Sequence, residues 1–426
     1  MSHNPSVMGA QRRASMILLF VLSVLTLTSC GGEAEDVNSI NKQTVLVYMP
    51  WSGSQKSSGL LNIFKNNLDS IEAAIIRNNG LGDSRSLVFL SETYNSSTLF
   101  EFVYDEHTNT VERKTLKTYE GHDYTTVNGI KTILEDVKSQ ASGLNYAMIV
   151  GCHGTGWTFT DSWEKYPYYA KPYSFDATQD DASFTRAYVS NGNDPATRFY
   201  GSVEDLATFS TDIPTLAEAI QAAGMKMQYI MFDDCYMANV EVAYELRNAT
   251  NFMIASTCEV MNVGFPYQTM WSSLARWQPN YSSAVSAFNN FYKNYNYPYG
   301  TVAAIDCRKM EELAATMKIV NQKYTLDPAQ LEELQVLDGF KTHIFYDFGD
   351  YATHLCPERA LLNRLESALN SVVTQKANTP EFYTRLYEAG YTVPINTFSG
   401  IAISDPSQNP VVTKSHQRTS WYKATH

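Results

Sequence analysis

Residues 229–246 read Tyr229-Ile230-Met231-Phe232-Asp233-Asp234-Cys235-Tyr236-Met237-Ala238-Asn239-Val240-Glu241-Val242-Ala243-Tyr244-Glu245-Leu246. The apolar run that arrives from Met227 and stops at Phe232 has no polar alternation, as a strand buried on both faces requires. It ends on two acids and a cysteine, and a helical pattern over residues 240–248 starts within a few positions. Strand, short loop and helix in that order form the unit of a mainly parallel sheet covered by helices on both sides.

The same alternation extends in both directions. Upstream, strands are predicted over residues 44–49, 87–90 and 146–150, and helices over 60–79, 127–141 and 213–223. Residues 99–117 read as antiparallel ribbon with a turn near Thr108-Asn109. Downstream, strands are expected at 252–256 and 301–305 and helices around 269–277 and 283–295. The chain then becomes more helical, at 310–324 and 359–376, with a last strand at 400–404. The fold class is therefore α/β, an αβα sandwich with a mainly parallel central sheet over residues 44–305. A mostly helical C-terminal part, 306–426, is expected to pack on the same domain. With 426 residues and 44% hydrophobic content, the chain has ample material for such a core. Only between Gly156 and residue 213 does the pattern dissolve, and long irregular stretches inside compact domains are usually functional.

The first thirty residues read as an address. Arg12 and Arg13 precede an apolar run over 16–27, of signal-peptide length and too short for a stable membrane span. It ends in Leu27-Thr28-Ser29-Cys30, which resembles the bacterial lipobox. Residues 1–29 are thus expected to be removed, Cys30 to be lipidated, and residues up to 43 to act as a tether. The expected location is the bacterial cell envelope, lipid-anchored and facing the periplasm or the cell surface. A formal charge of −12 and a pI near 5.2, with no basic stripe, argue against nucleic-acid binding. Membrane contact is expected only through the N-terminal lipid. Five cysteines follow Cys30, an odd number without C-x-x-C spacing, so at least one thiol stays unpaired.

In open α/β sheets, ligands bind beyond the carboxyl ends of the strands. Two such ends carry reactive groups. One is the quoted stretch, with Cys235. The other is Ala147-Met148-Ile149-Val150-Gly151-Cys152-His153-Gly154-Thr155-Gly156-Trp157, where a strand delivers His153 between glycines that leave main-chain N–H groups accessible. A thiol near a helix start and an imidazole is stabilised as thiolate. Strand alternation puts Asp233 on the side of Cys235 and Asp234 on the other, where a turn or helix-start role suits it.

Taken together, His153-Gly154-Thr155-Gly156-Trp157 after one strand, and Asp233-x-Cys235-Tyr236-Met237 with the Val240–Tyr244 helix after another, resemble the clostripain family of cysteine peptidases. The resemblance implies a caspase-like fold and hydrolysis of peptide bonds in peptide or protein substrates. It makes Cys235 the nucleophile, His153 the base, Gly154 an oxyanion-hole donor beside the Cys235 amide, and Asp233 the floor of a pocket for Arg or Lys. It also implies cutting between the His and Cys segments, where Lys165, Lys171, Arg186 and Arg198 lie, and a response to calcium. The chemistry itself requires no cofactor, and residues 255–267 follow the family pattern only loosely.

Other constellations are weaker. P-loop, dinucleotide, zinc-helix and serine-elbow motifs are absent from the sequence. No metal ligands are assigned, since Cys152, His153, Cys235 and Cys258 lack zinc spacing. His343 and His354 read as structural, and Glu311-Glu312 and Glu332-Glu333 as solvated helix faces. The competing function is a non-catalytic surface lipoprotein that binds peptide or glycan through its aromatics.

Overall fold

The computed structural model describes residues 41–50, 60–93, 95–121, 123–163, 209–386 and 391–426. The signal segment, Cys30 and the four basic residues between 165 and 198 lie outside these. From Asn41 onward the chain is one compact unit.

Its centre is a nine-stranded sheet. The strands are β1 (Gln43–Met49), β2 (Ser84–Thr93), β3 (Ser96–Asp105), β4 (Thr110–Glu120), β5 (Asn145–Val150), β6 (Met227–Phe232), β7 (Thr250–Ala255) and β8 (Thr301–Asp306), joined, after the short β9 (Tyr346–Asp347), by β10 (Val373–Asn378). They lie in the order β10-β8-β7-β6-β5-β1-β2-β3-β4. The central run from β7 to β2 is parallel, and the strands added at both ends are antiparallel. From β1 the chain moves one way to β2, then returns to place β5, β6 and β7 on the other side. The strand order thus reverses between β1 and β5, where open sheets leave a crevice at their carboxyl ends.

Two helical layers cover the sheet. In one, α1 (Leu61–Arg77) packs on α5 (Tyr267–Leu274) and α5 on α6 (Tyr281–Asn294). In the other, α2 (Val127–Gln140) packs on α3 (Ile213–Ala222) and α3 on α4 (Val240–Glu245). The second layer continues through α7 (Met310–Lys323), α9 (Arg359–Val372) and α11 (Ser420–Thr425), with α8 (Phe348–Leu355) beside α9. The local causes are ordinary. In α2, Ile130, Ile133, Leu134 and Val137 recur at helical spacing on the buried face, and Thr126 caps the first turn by accepting from the Gly129 N–H. In β1, all seven residues are buried, as expected of a strand with helices on both faces.

The C-terminal part departs from expectation at several points. The helix predicted over 359–376 stops at Val372, and the chain goes on as β10, antiparallel to β8. Val372-Val373-Thr374 is a β-branched run, stiff at χ1, and the open edge of β8 offers it a ladder of hydrogen bonds. Local periodicity cannot see that edge. The strand predicted at 400–404 shortens to β13 (Ala402–Ile403), which pairs with β9, while β11 (Glu381–Thr384) and β12 (Tyr391–Pro394) form a separate hairpin. Among the described residues no helix is long and apolar enough to cross a membrane.

Candidate active site

The two reactive segments leave neighbouring strands at the same level. Val150 of β5 and Phe232 of β6 are register partners. His153 and Cys235 each stand three residues beyond them. The Asp233 N–H donates to the Val150 carbonyl at 2.8 Å, which carries the pairing one residue past the end of β6.

Beyond that point the loops interlock. A Cβ on Gly154 would stand 2.4 Å from the carbonyl oxygen of Cys235 and 3.0 Å from its nitrogen, so only glycine lets the two backbones approach this closely. Asp234 supplies the second link, accepting the Cys152 N–H at 2.6 Å through Oδ1, with the Cys152 thiol 3.5 Å from Oδ2. Asp234 was expected only to serve its own turn. Instead it holds the backbone immediately before His153.

Asp233 and Cys235 turn to the opposite side, towards residues 260–267. The Phe265 N–H and the Tyr267 hydroxyl donate to Asp233 at 3.0 and 2.7 Å, and the Val260 N–H donates to the Cys235 sulfur at 3.2 Å. Asp233 and Cys235 are fully buried, and His153 is 5% exposed.

Tyr236 makes the turn out of the site with φ +63°, a left-handed conformation unfavourable for a bulky residue. Several contacts hold it there. Its N–H donates to the Cys258 carbonyl at 3.1 Å, its hydroxyl donates to Glu259 at 2.9 Å, its carbonyl accepts from Asn239 Nδ2 at 2.7 Å, and its ring stacks on Phe345 at 5.2 Å. Asn239 also caps α4, accepting the Val242 N–H at 2.8 Å. Glu259 in turn accepts from the Thr384 hydroxyl at 2.5 Å, so the C-terminal part reaches the wall of the site.

A narrow pocket of about 60 Å³ opens beside His153, lined among others by Tyr48, Cys152, Gly154, Phe209 and Asp234. At its rim Thr160 bonds Ser210 at 2.5 Å and Asp212 at 3.0 Å, tying together the described residues on either side of 164–208.

The remaining candidates have structural partners. Among the described residues, Cys152, Cys235, Cys258, Cys307 and Cys356 form no disulfide. Burial pushes the Cys258 thiol up to about 12 and that of Cys307 higher still, which makes both poor nucleophiles. Among the described residues the cysteines do not gather with His153 into a metal-ligating group. His343 pairs with Asp338 at 2.9 Å, His354 bonds the Asp350 carbonyl at 3.0 Å, and Glu311 pairs with Arg247 at 2.6 Å. Beyond Asp234 and Glu259, the sequence reading missed the grouping of Glu241 with Asp405 and His416. No local signal announces it, since Glu241 and His416 stand 175 residues apart.

The Peptidase C11 family model, described as the clostripain family, matches residues 186–417. A secreted C11 cysteine protease from Bacteroides thetaiotaomicron, iotapain, is 39% identical, with 91% of this chain and 99% of that chain covered and a TM-score of 0.78. A clostripain from the same species, in complex with the peptide inhibitor BTN-VLTK-AOMK, is 45% identical over 52% of this chain and 96% of its own, with a TM-score of 0.50. An inactive zymogen C11 protease from Parabacteroides distasonis, 24% identical over 90% of this chain and 98% of its own, shares the fold with a TM-score of 0.70. No curated protein matches the sequence. These similarities replace the non-catalytic reading: with its caspase-like α/β fold, the chain belongs to the clostripain family and is a cysteine peptidase.

Proposed function

We propose that this peptidase cleaves after Arg or Lys with a Cys235–His153 dyad. The observation that carries the reading is the interlock of the two loops, with Gly154 against the Cys235 backbone and Asp234 on the Cys152 amide, at the paired ends of β5 and β6. In this mechanism His153 takes the thiol proton, and the thiolate attacks the scissile carbonyl carbon. The oxyanion that forms is met by the N–H groups of Gly154 and Cys235. As the C–N bond breaks, His153 returns the proton to the leaving amine. Water, activated by the same imidazole, then releases the acyl group from Cys235.

The Arg or Lys preference rests on Asp233, a buried carboxylate on the Cys235 side of the strand end. A guanidinium or ammonium entering there would gain a charge-assisted hydrogen bond. The inhibitor bound by the B. thetaiotaomicron clostripain, whose peptide ends in Lys, supports this class of substrate. Because the Cys235 sulfur is enclosed, we further propose that residues between 158 and 211 are cut or displaced before substrate enters. The lipid anchor at Cys30 belongs to the same proposal, motivated by the Leu27-Thr28-Ser29-Cys30 sequence. Loss of palmitate labelling in Cys30→Ala would support it, and unchanged labelling would reject it.

A panel of fluorogenic peptides differing only at P1 tests the catalytic proposal. Turnover confined to Arg and Lys, and abolished in Cys235→Ala, is expected. Equal turnover of Ala or Glu peptides would reject the specificity, and activity surviving in Cys235→Ala would reject the nucleophile.

A further inference from the structure

Behind the two reactive loops, three ligating side chains converge from distant parts of the chain. Glu241 lies in the first turn of α4, Asp405 just past β13, and His416 just past α10 (Pro410–Ser415). Their side chains are 0%, 2% and 7% exposed. His416 Nε2 stands 3.1 Å from Glu241 Oε1 and 3.6 Å from Asp405 Oδ1, and one ligating atom from each residue lies within 4.8 Å of the others.

Hydrogen bonding leaves this group incomplete. Glu241 Oε1 accepts the Ser404 N–H at 2.9 Å as well as facing His416. Among the described residues, Glu241 Oε2 and both oxygens of Asp405 are buried without a hydrogen-bond donor. Two carboxylates and an imidazolium would leave one net negative charge in a buried group, a charge that either a proton on a carboxylate or a bound cation must offset. Two carboxylates, a neutral imidazole and a divalent cation sum to zero and use the unpartnered oxygens.

The ligand chemistry narrows the ion. An imidazole nitrogen with two carboxylates in a compact, largely enclosed site suits zinc and its first-row neighbours. Calcium takes six to eight oxygens and does not favour a nitrogen. We propose that Glu241, Asp405 and His416 bind one divalent transition-metal ion of the zinc class. Its position gives it a bracing role. The Trp157 ring, in the same loop as His153, lies 5.0 Å from the His416 ring, and its Nε1 donates to Ser404 Oγ at 2.8 Å. Glu241 belongs to the helix that follows Cys235. The ion therefore ties the His loop, the Cys helix and the C-terminal segment together, independently of the proposed specificity.

The test uses the full chain with Cys235→Ala, which removes the reactive thiol as a competing ligand. After dialysis against chelator and readdition of zinc, elemental analysis should find one zinc per chain, and zinc should raise the melting temperature. Asp405→Asn and Glu241→Gln, checked for native circular dichroism, should each weaken zinc binding at least about tenfold and lose the melting shift. Cobalt(II) in the parent protein serves as a check that needs no further variant. It should show ligand-field bands without an intense thiolate charge-transfer band. Failure to bind zinc, zinc binding indifferent to both substitutions, a thiolate band, or stabilisation by calcium but not by zinc would each overturn the proposal.

Discussion

Cys235 takes its surroundings from three segments, with Gly154 against its backbone, the Val260 N–H on its sulfur, and Tyr236 held in a left-handed turn behind it. Cys235→Ala and His153→Ala should each abolish peptide hydrolysis, while Cys258→Ala and Cys307→Ala keep most of it, because burial holds those two thiols protonated. Full activity in either Cys235→Ala or His153→Ala would dismiss the dyad. Asp233→Asn should lower kcat/KM for Arg and Lys peptides by the equivalent of roughly 2 to 5 kcal/mol while leaving the thiol reactive towards iodoacetamide. A variant that cleaves after Arg as well as its parent would reduce Asp233 to a brace for residues 265–267. A pH effect belongs to His343. Burial lowers its pKa, but the hydrogen bond and charge of Asp338 outweigh burial and leave it raised. A histidine raised on folding contributes stability that is complete below its unfolded pKa of about 6.5 and fades as pH rises through the folded value. The loss of urea stability in His343→Gln should thus be larger at about pH 5.5 than at about pH 9. An equal loss at both would contradict this.

The ends of β5 and β6 set the geometry that the individual residues use. Gly154→Ala would bring a methyl group within 2.4 Å of the Cys235 carbonyl oxygen, so one loop must shift. A displacement on the order of 1 Å costs about a hundredfold in rate, and kcat should fall by that order with the fold intact by circular dichroism. Unchanged kcat would mean that the interlock does not position the dyad. At the head of α4, Asn239→Ala removes both the cap on Val242 and the bond to the Tyr236 carbonyl. Its stability should drop by about 1 to 2 kcal/mol in urea denaturation. The elements themselves were legible wherever apolar period was strong, as in β6, whose bounds match the expected 227–232. The boundary between α9 and β10 was not, because the partner that makes residues 373–378 a strand is β8, far away in sequence.

For the whole molecule, the decisive condition is access to an enclosed Cys235. If cutting at basic residues opens the site, replacing Lys165, Lys171, Arg186 and Arg198 together by Gln should leave the chain intact on a denaturing gel and nearly inactive. An intact chain with undiminished activity would exclude that route.

The sequence by itself determined the strand and helix succession, the parallel centre of the sheet, and the paired His153 and Cys235 motifs, because each is encoded in short-range periodicity or in neighbouring residues. Strand alternation likewise separated Asp233 from Asp234. It left open what each acid would meet, and the structure turned Asp234 from a local turn residue into the link to Cys152. Only tertiary structure decided that Glu259 bonds Thr384 across 125 residues and that Glu241 meets Asp405 and His416. Such contacts depend on which loop ends the folded sheet brings side by side, and nothing in the spacing of a linear chain records that distance.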